Sequence, residues 1–191
     1  MVKELHEISE SIKQINQTDW KIIVIIIISG ISSLGALIAA FAGILQSCRL
    51  RVSLGIETLL KYEEKFDSNE FKKLRSIAAT SLLTRKPDDD IEDVLDFFET
   101  IGKLVSIKVL NKEMVWNTFY HWVVIYYQSS EEYINDKRKV KPVIYVEFVK
   151  LYKTLTAIER KEGIGNKEII VLSEDELKKY LIDELIYQPE F

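Results

Sequence analysis

The chain has 191 residues, a formal net charge of −4, two His and a single Cys. The acidic balance gives no global pull toward nucleic acid, the lone Cys48 rules out an intramolecular disulfide, and a structural zinc site fails on ligand count. Seven Gly and three Pro leave little room for long loops and point to an all-α chain.

The first segment, ELHEISESIKQINQ, places Leu5, Ile8, Ile12 and Ile15 alternately three and four residues apart. That is the pattern of an N-terminal amphipathic helix over residues 1–19. From Ile22 to Leu45 there follow 24 residues without a charged side chain. At the helical rise they cover about 36 Å, slightly more than the hydrocarbon core of a bilayer. Trp20 and Lys21 at one end and Arg49 and Arg51 at the other suit the headgroup layers. The sequence therefore predicts one transmembrane helix over residues 20–48. Lys3, Lys13 and Lys21 precede it, whereas Arg49, Arg51, Lys61, Lys65, Lys72, Lys73 and Arg75 follow. The positive-inside rule then makes residues 49–191 a cytoplasmic α-helical domain.

Carried forward, the heptad register of the first helix lines up Ser29, Ser33, Ala36, Ala40, Gly43 and Ser47 on one seam. Small residues let transmembrane helices approach closely, so this seam is the candidate helix–helix association face.

Beyond Arg51 the apolar spacing predicts a bundle of about six helices. A helix with Val52, Ile56, Leu59 and Phe66 on one face is expected to continue directly from the span, with Gly55 the one place where it could break. Ser68 caps a second, burying Phe71, Leu74, Ile77, Ala78 and Leu82. A third runs from Asp90 to about Ile107. Asn111 caps a fourth, which runs to about Gln128, is apolar around most of its circumference and is therefore central. Ser129 or Ser130 opens a short helix that ends in the basic run KRKVK, Lys137 to Lys141, read as a solvated loop. A fifth long helix carries Ile144, Phe148, Leu151, Leu155 and Ile158, and stops at Gly163. Ile169–Leu172 is expected to be extended. Ser173 caps a last helix with Leu177, Leu181 and Leu185 in line.

No catalytic signature emerges. The nucleophile elbow and the phosphate-binding glycine motifs are absent, and no cofactor is called for. Glu113, Asn117 and His121 form a polar stripe on the central helix that marks a possible pocket, with Glu99 as a further acid to test. The bland alternative is a His satisfied at the rim of the core. Asp88, Asp89, Asp90, Glu92, Asp93, Asp96 and Glu99 put seven carboxylates within twelve residues. At a helix start such a run reads first as a solvated acidic face, and second as a surface that meets a basic neighbour.

The passage DVLDFFETIGKLVSIKVLNKEMVWNTFYHWVVIYYQSSEEYI, Asp93 to Ile134, resembles uncharacterised bacterial membrane-anchored proteins grouped as domains of unknown function. The resemblance rests on aromatic spacing and covers roughly Leu54 to Glu159. It implies one N-terminal span joined to a helical domain in a bacterial inner membrane, and carries over no activity or site residue. The expected function is that of a membrane-anchored interaction or scaffold protein that binds a protein partner or a second copy, with the bilayer as its other partner. The rivals are a pore-forming effector assembled through the span and an enzyme of unrecognised class.

Overall fold

The computed structural model describes residues 2–84, 91–162 and 171–186. The described residues form six α-helices: α1 (Val2–Asp67), α2 (Asn69–Leu83), α3 (Glu92–Ser106), α4 (Lys112–Val140), α5 (Val146–Glu162) and α6 (Glu174–Ile186). The chain divides into two compact units, Met1–Leu50 and Arg51–Phe191.

The first unit lies wholly within α1. Residues 20–48 are helical within α1, but among the described residues no helix is long and apolar enough to cross a membrane, which overturns the transmembrane helix expected there. Of the 24 residues from Ile22 to Leu45, ten are Ser, Gly or Ala and fourteen are Ile, Leu, Val or Phe; the side chains of residues 26–28 and 30–38 lie outside those described. Ser47 Oγ donates to the carbonyl of Gly43 at 2.9 Å, and Ser11 Oγ to that of Glu7 at 2.9 Å.

In the second unit α1 continues through Gly55 without a break. A Cβ at Gly55 would stand 2.7 Å from the carbonyl oxygen of Val109, so glycine here lets the helix lie directly on the turn after α3. Ser68 both ends α1 and starts α2. Its hydroxyl donates to the carbonyl of Lys65 at 2.7 Å and accepts the N–H of Phe71 at 3.2 Å. On α2 the expected face holds for Phe71 and Ala78, which are buried, and for Leu74 and Leu82, which pack on the core, but not for Ile77. Ile77 is exposed, whereas Arg75, Ser76, Ala79 and Ser81 are buried.

The core is aromatic. Phe66 of α1 meets Phe71, Phe97, Phe98, Phe119 and Trp122, with ring centroids 5.4–6.1 Å apart. Phe98 stacks on Phe148 of α5 at 5.4 Å. α4 is central, as its composition predicts, since all five residues from Val123 to Tyr127 are buried. It runs unbroken through Ser129 and Ser130, and no separate short helix begins there. Ser130 bonds back to the carbonyl of Tyr126 instead of capping. The basic residues Lys137, Arg138 and Lys139 form the last turn of α4, not a loop, where cations complement the helix dipole. α3 and α5 touch through Gly102, whose Cβ would collide with the carbonyl of Glu147.

Candidate interaction site

α6 begins with a reciprocal cap. Ser173 Oγ accepts the N–H of Glu176 at 3.3 Å, and the Glu176 carboxylate accepts the N–H of Ser173 at 2.8 Å. That backbone bond holds the Glu176 carboxyl below the usual range. From this start Leu177, Leu181, Glu184 and Leu185 follow at helical spacing. They lie in a groove between α2 and α4.

The groove has an apolar floor and one charged anchor. Ala79, Ile125 and Leu181 are buried together in a cluster apart from the main core, with Trp122, Leu83 and Tyr180 packed on it. Ala79 of α2 gives the close approach that a larger side chain would block. Arg75 and Glu184 face each other at 3.3 Å with only 4% and 3% of their side chains exposed. The Arg75 guanidinium also lies 4.0 Å from the Phe66 ring centroid and 4.9 Å from that of Trp122. The pair is held by charge and not by aligned hydrogen bonds. Nε and Nη1 of Arg75 and Oε2 of Glu184 are buried without a hydrogen-bond partner, as is the Tyr126 hydroxyl. Burial pushes the Glu184 carboxyl above its ordinary 4.5, and Arg75 opposes that rise. Burial and the Glu184 charge together push the Tyr126 phenol well above 10.

α6 does not fill its groove. A cavity of about 590 Å³ remains beside it, lined by Leu82, Leu83, Ser129, Glu132, Leu177 and Leu181 among others. Ser129 Oγ is buried there without a partner. Gln128 closes one end. Its carbonyl accepts the N–H of Leu172 at 3.0 Å, and its amide donates to the Tyr152 hydroxyl at 3.1 Å.

The sequence-marked residues lie elsewhere. Glu113, Asn117 and His121 are all exposed on α4 and do not enclose a pocket. Glu113 stands 3.7 Å from Lys112, and His121 sets its ring edge-on to Tyr180 of α6 at 4.6 Å. Glu99 is committed to a structural bond, accepting the N–H of Phe148. Trp20, Lys21, Arg49 and Arg51 are exposed. On the small-residue seam, Ser29, Ala40, Gly43 and Ser47 are exposed, and a Cβ on Gly43 meets nothing within 4 Å. Ser33 and Ala36 lie outside the residues whose side chains are described, as do Asp88, Asp89 and Asp90. One member of the acidic run, Glu92, meets a basic residue, Lys137 of α4. Glu92 Oε1 accepts from Lys137 Nζ and from the Tyr133 hydroxyl, each at 2.8 Å. Chiefly through Lys137, this holds the Glu92 carboxyl below 4.5.

Arg75 and Glu184 were not singled out in the sequence. The available signal was the row of small residues Ala78, Ala79 and Ser81 on α2, which marks a helix face built for close approach.

These features define an all-α protein with a helix seated in a groove and no assembled catalytic group among the described residues. Residues 31–155 match DUF4760, a domain of unknown function, and the chain belongs to that family. No curated protein and no solved structure matches it.

Proposed function

We propose that the chain is a helical interaction module that associates with a second copy of itself by exchanging α6 between grooves. The observation that supports this reading is the seat of α6. Its buried apolar cluster is distinct from the main core, the buried Arg75–Glu184 pair anchors it, and a cavity is left beside it. Leu82 and Trp122 pack on both clusters, so departure of α6 uncovers one edge of the core that a replacement helix covers again. A second copy supplies a helix with the right pattern, leucines at i, i+4 and i+8 and a carboxylate at i+7, from Leu177 to Leu185.

Charge reversal across the pair tests it. Arg75→Glu and Glu184→Arg are made in separate chains, and each is expected to weaken association. Mixed, the two chains match both grooves only if α6 crosses from one copy to the other, and light scattering should then show a mixed dimer. A doubly reversed chain that is stable and monomeric, together with no mixed dimer, shows that α6 stays on its own chain and sinks the proposal. Light scattering of the parent over a dilution series reads the same association without any substitution.

A further inference from the structure

A second groove lies where α1 crosses the turn between α3 and α4. It has a volume of about 520 Å³, and its lining includes Arg51, Val52, Gly55, Lys108, Val109 and Lys112. We propose that this groove binds an anionic phospholipid surface, independently of the α6 exchange.

Three observations carry it. The first is charge. Among the lining residues the cations are Arg51, Lys108 and Lys112, against the single carboxylate of Glu113, in a chain whose net charge is −4. Cations gathered in this way select an anionic occupant. The second is apolar exposure. Val52 of the lining is 61% exposed, and Ile107, next to Lys108 in the turn, is 55% exposed. Branched aliphatic side chains beside point charges suit acyl chains under charged headgroups. The lining has no aromatic platform or buried polar side chain of the kind that fixes a small rigid ligand. The third is the backbone of Lys108, which has φ 61°. The turn around it is fixed by N–H bonds from Val109 and Leu110 to the carbonyl of Leu104, at 2.9 and 3.1 Å. Glycine adopts such a left-handed position freely, and a lysine does so at a cost. The residue present keeps an ammonium group at the groove at the expense of the fold. An acidic protein surface would satisfy the charges. It would leave the scattered exposed aliphatics without a shape-matched partner, so a lipid surface is the better fit.

The test uses the full chain with Cys48→Ser and Ile107→Cys, labelled with an environment-sensitive dye. Vesicles of neutral phosphatidylcholine are compared with vesicles containing phosphatidylglycerol. A blue shift is expected with anionic vesicles only, weakening with added salt. Lys108→Gly and Arg51→Gln should each reduce the partition constant about five-fold, the loss of one cation at an anionic surface. Lys108→Gly relieves backbone strain, so its loss of binding is not a failure to fold. An equal shift on neutral and anionic vesicles overturns the proposal. So does a shift that both variants leave unchanged, or no shift on either vesicle, and the last of these redirects the search to an acidic protein.

Discussion

Glu99 of α3 reaches across to α5 and accepts the backbone N–H of Phe148 at 2.6 Å. One helix thus caps the first turn of another, over 49 residues of sequence. The N–H groups of a helix start have no partner within the helix, and a carboxylate there also meets the favourable end of the dipole. Glu99→Ala should lower stability by about 1–2 kcal/mol, the usual value of a lost cap, and Glu99→Gln by less. Urea unfolding midpoints measure both.

Gly102 and Gly43 make a contrasting pair. A methyl group at Gly102 collides with the backbone of Glu147, whereas one at Gly43 meets nothing within 4 Å. Gly102→Ala should force α3 and α5 apart and destabilise by about 1–3 kcal/mol or more. Gly43→Ala should be neutral to stabilising by up to about 1 kcal/mol, the gain in helix propensity. Thermal melts of the two variants should shift in opposite directions, or the second not at all.

Lys108 occupies a left-handed backbone position. Lys108→Gly should stabilise the fold by about 1 kcal/mol, because the strain goes and no buried contact is lost. A lower unfolding midpoint would show that the lysine side chain supports the turn directly.

The Arg75–Glu184 pair is buried on both sides. Glu184→Ala leaves a buried cation unpaired and should cost about 3–5 kcal/mol, whereas Arg75→Met combined with Glu184→Leu should be neutral or stabilising. A double variant as damaged as the single one would mean that the pair contributes more than its charges.

His121 gives a pH dependence with a definite sign. His121 is exposed as a whole residue, yet partial desolvation of its ring lowers its pKa below the ordinary 6.5. On acidification the unfolded chain therefore takes up this proton first. The stabilisation carried by the neutral ring is whole above 6.5 and is lost as the pH falls from there through the lowered folded value. His121→Phe should flatten this part of the stability–pH curve, as followed by chemical denaturation at a series of pH values.

Capping was the most legible layer of the fold. Ser68, Asn111 and Ser173 each stand just before an apolar periodic run, and each accepts an N–H from the first turn of its helix. The same rule misled at Ser129 and Ser130, since serine inside a helix can bond the previous turn and leave the helix intact. Apolar spacing placed α4 at the centre and most of the α2 face, missing only at Ile77 and at the small and polar residues buried beside it. A buried arginine reads as a surface residue until its partner, 109 positions away, is known. The transmembrane helix expected over 20–48 has no counterpart among the described residues. The polar stripe Glu113, Asn117, His121 was real as a helix face, but its ends meet different neighbours, Glu113 the groove beside α1 and His121 the Tyr180 ring of α6, and the three do not share a pocket.

Gln128 gives the bundle a shared fastening. One planar amide receives the N–H that leads into α6 and donates to a hydroxyl of α5. Its oxygen and nitrogen cannot be repositioned separately, so a turn of that group surrenders both bonds together. Loosening of α5 near Tyr152 is therefore felt at Leu172 as lost cooperativity. Hydrogen exchange at the Leu172 amide would report on α5 as faithfully as on the helix it precedes.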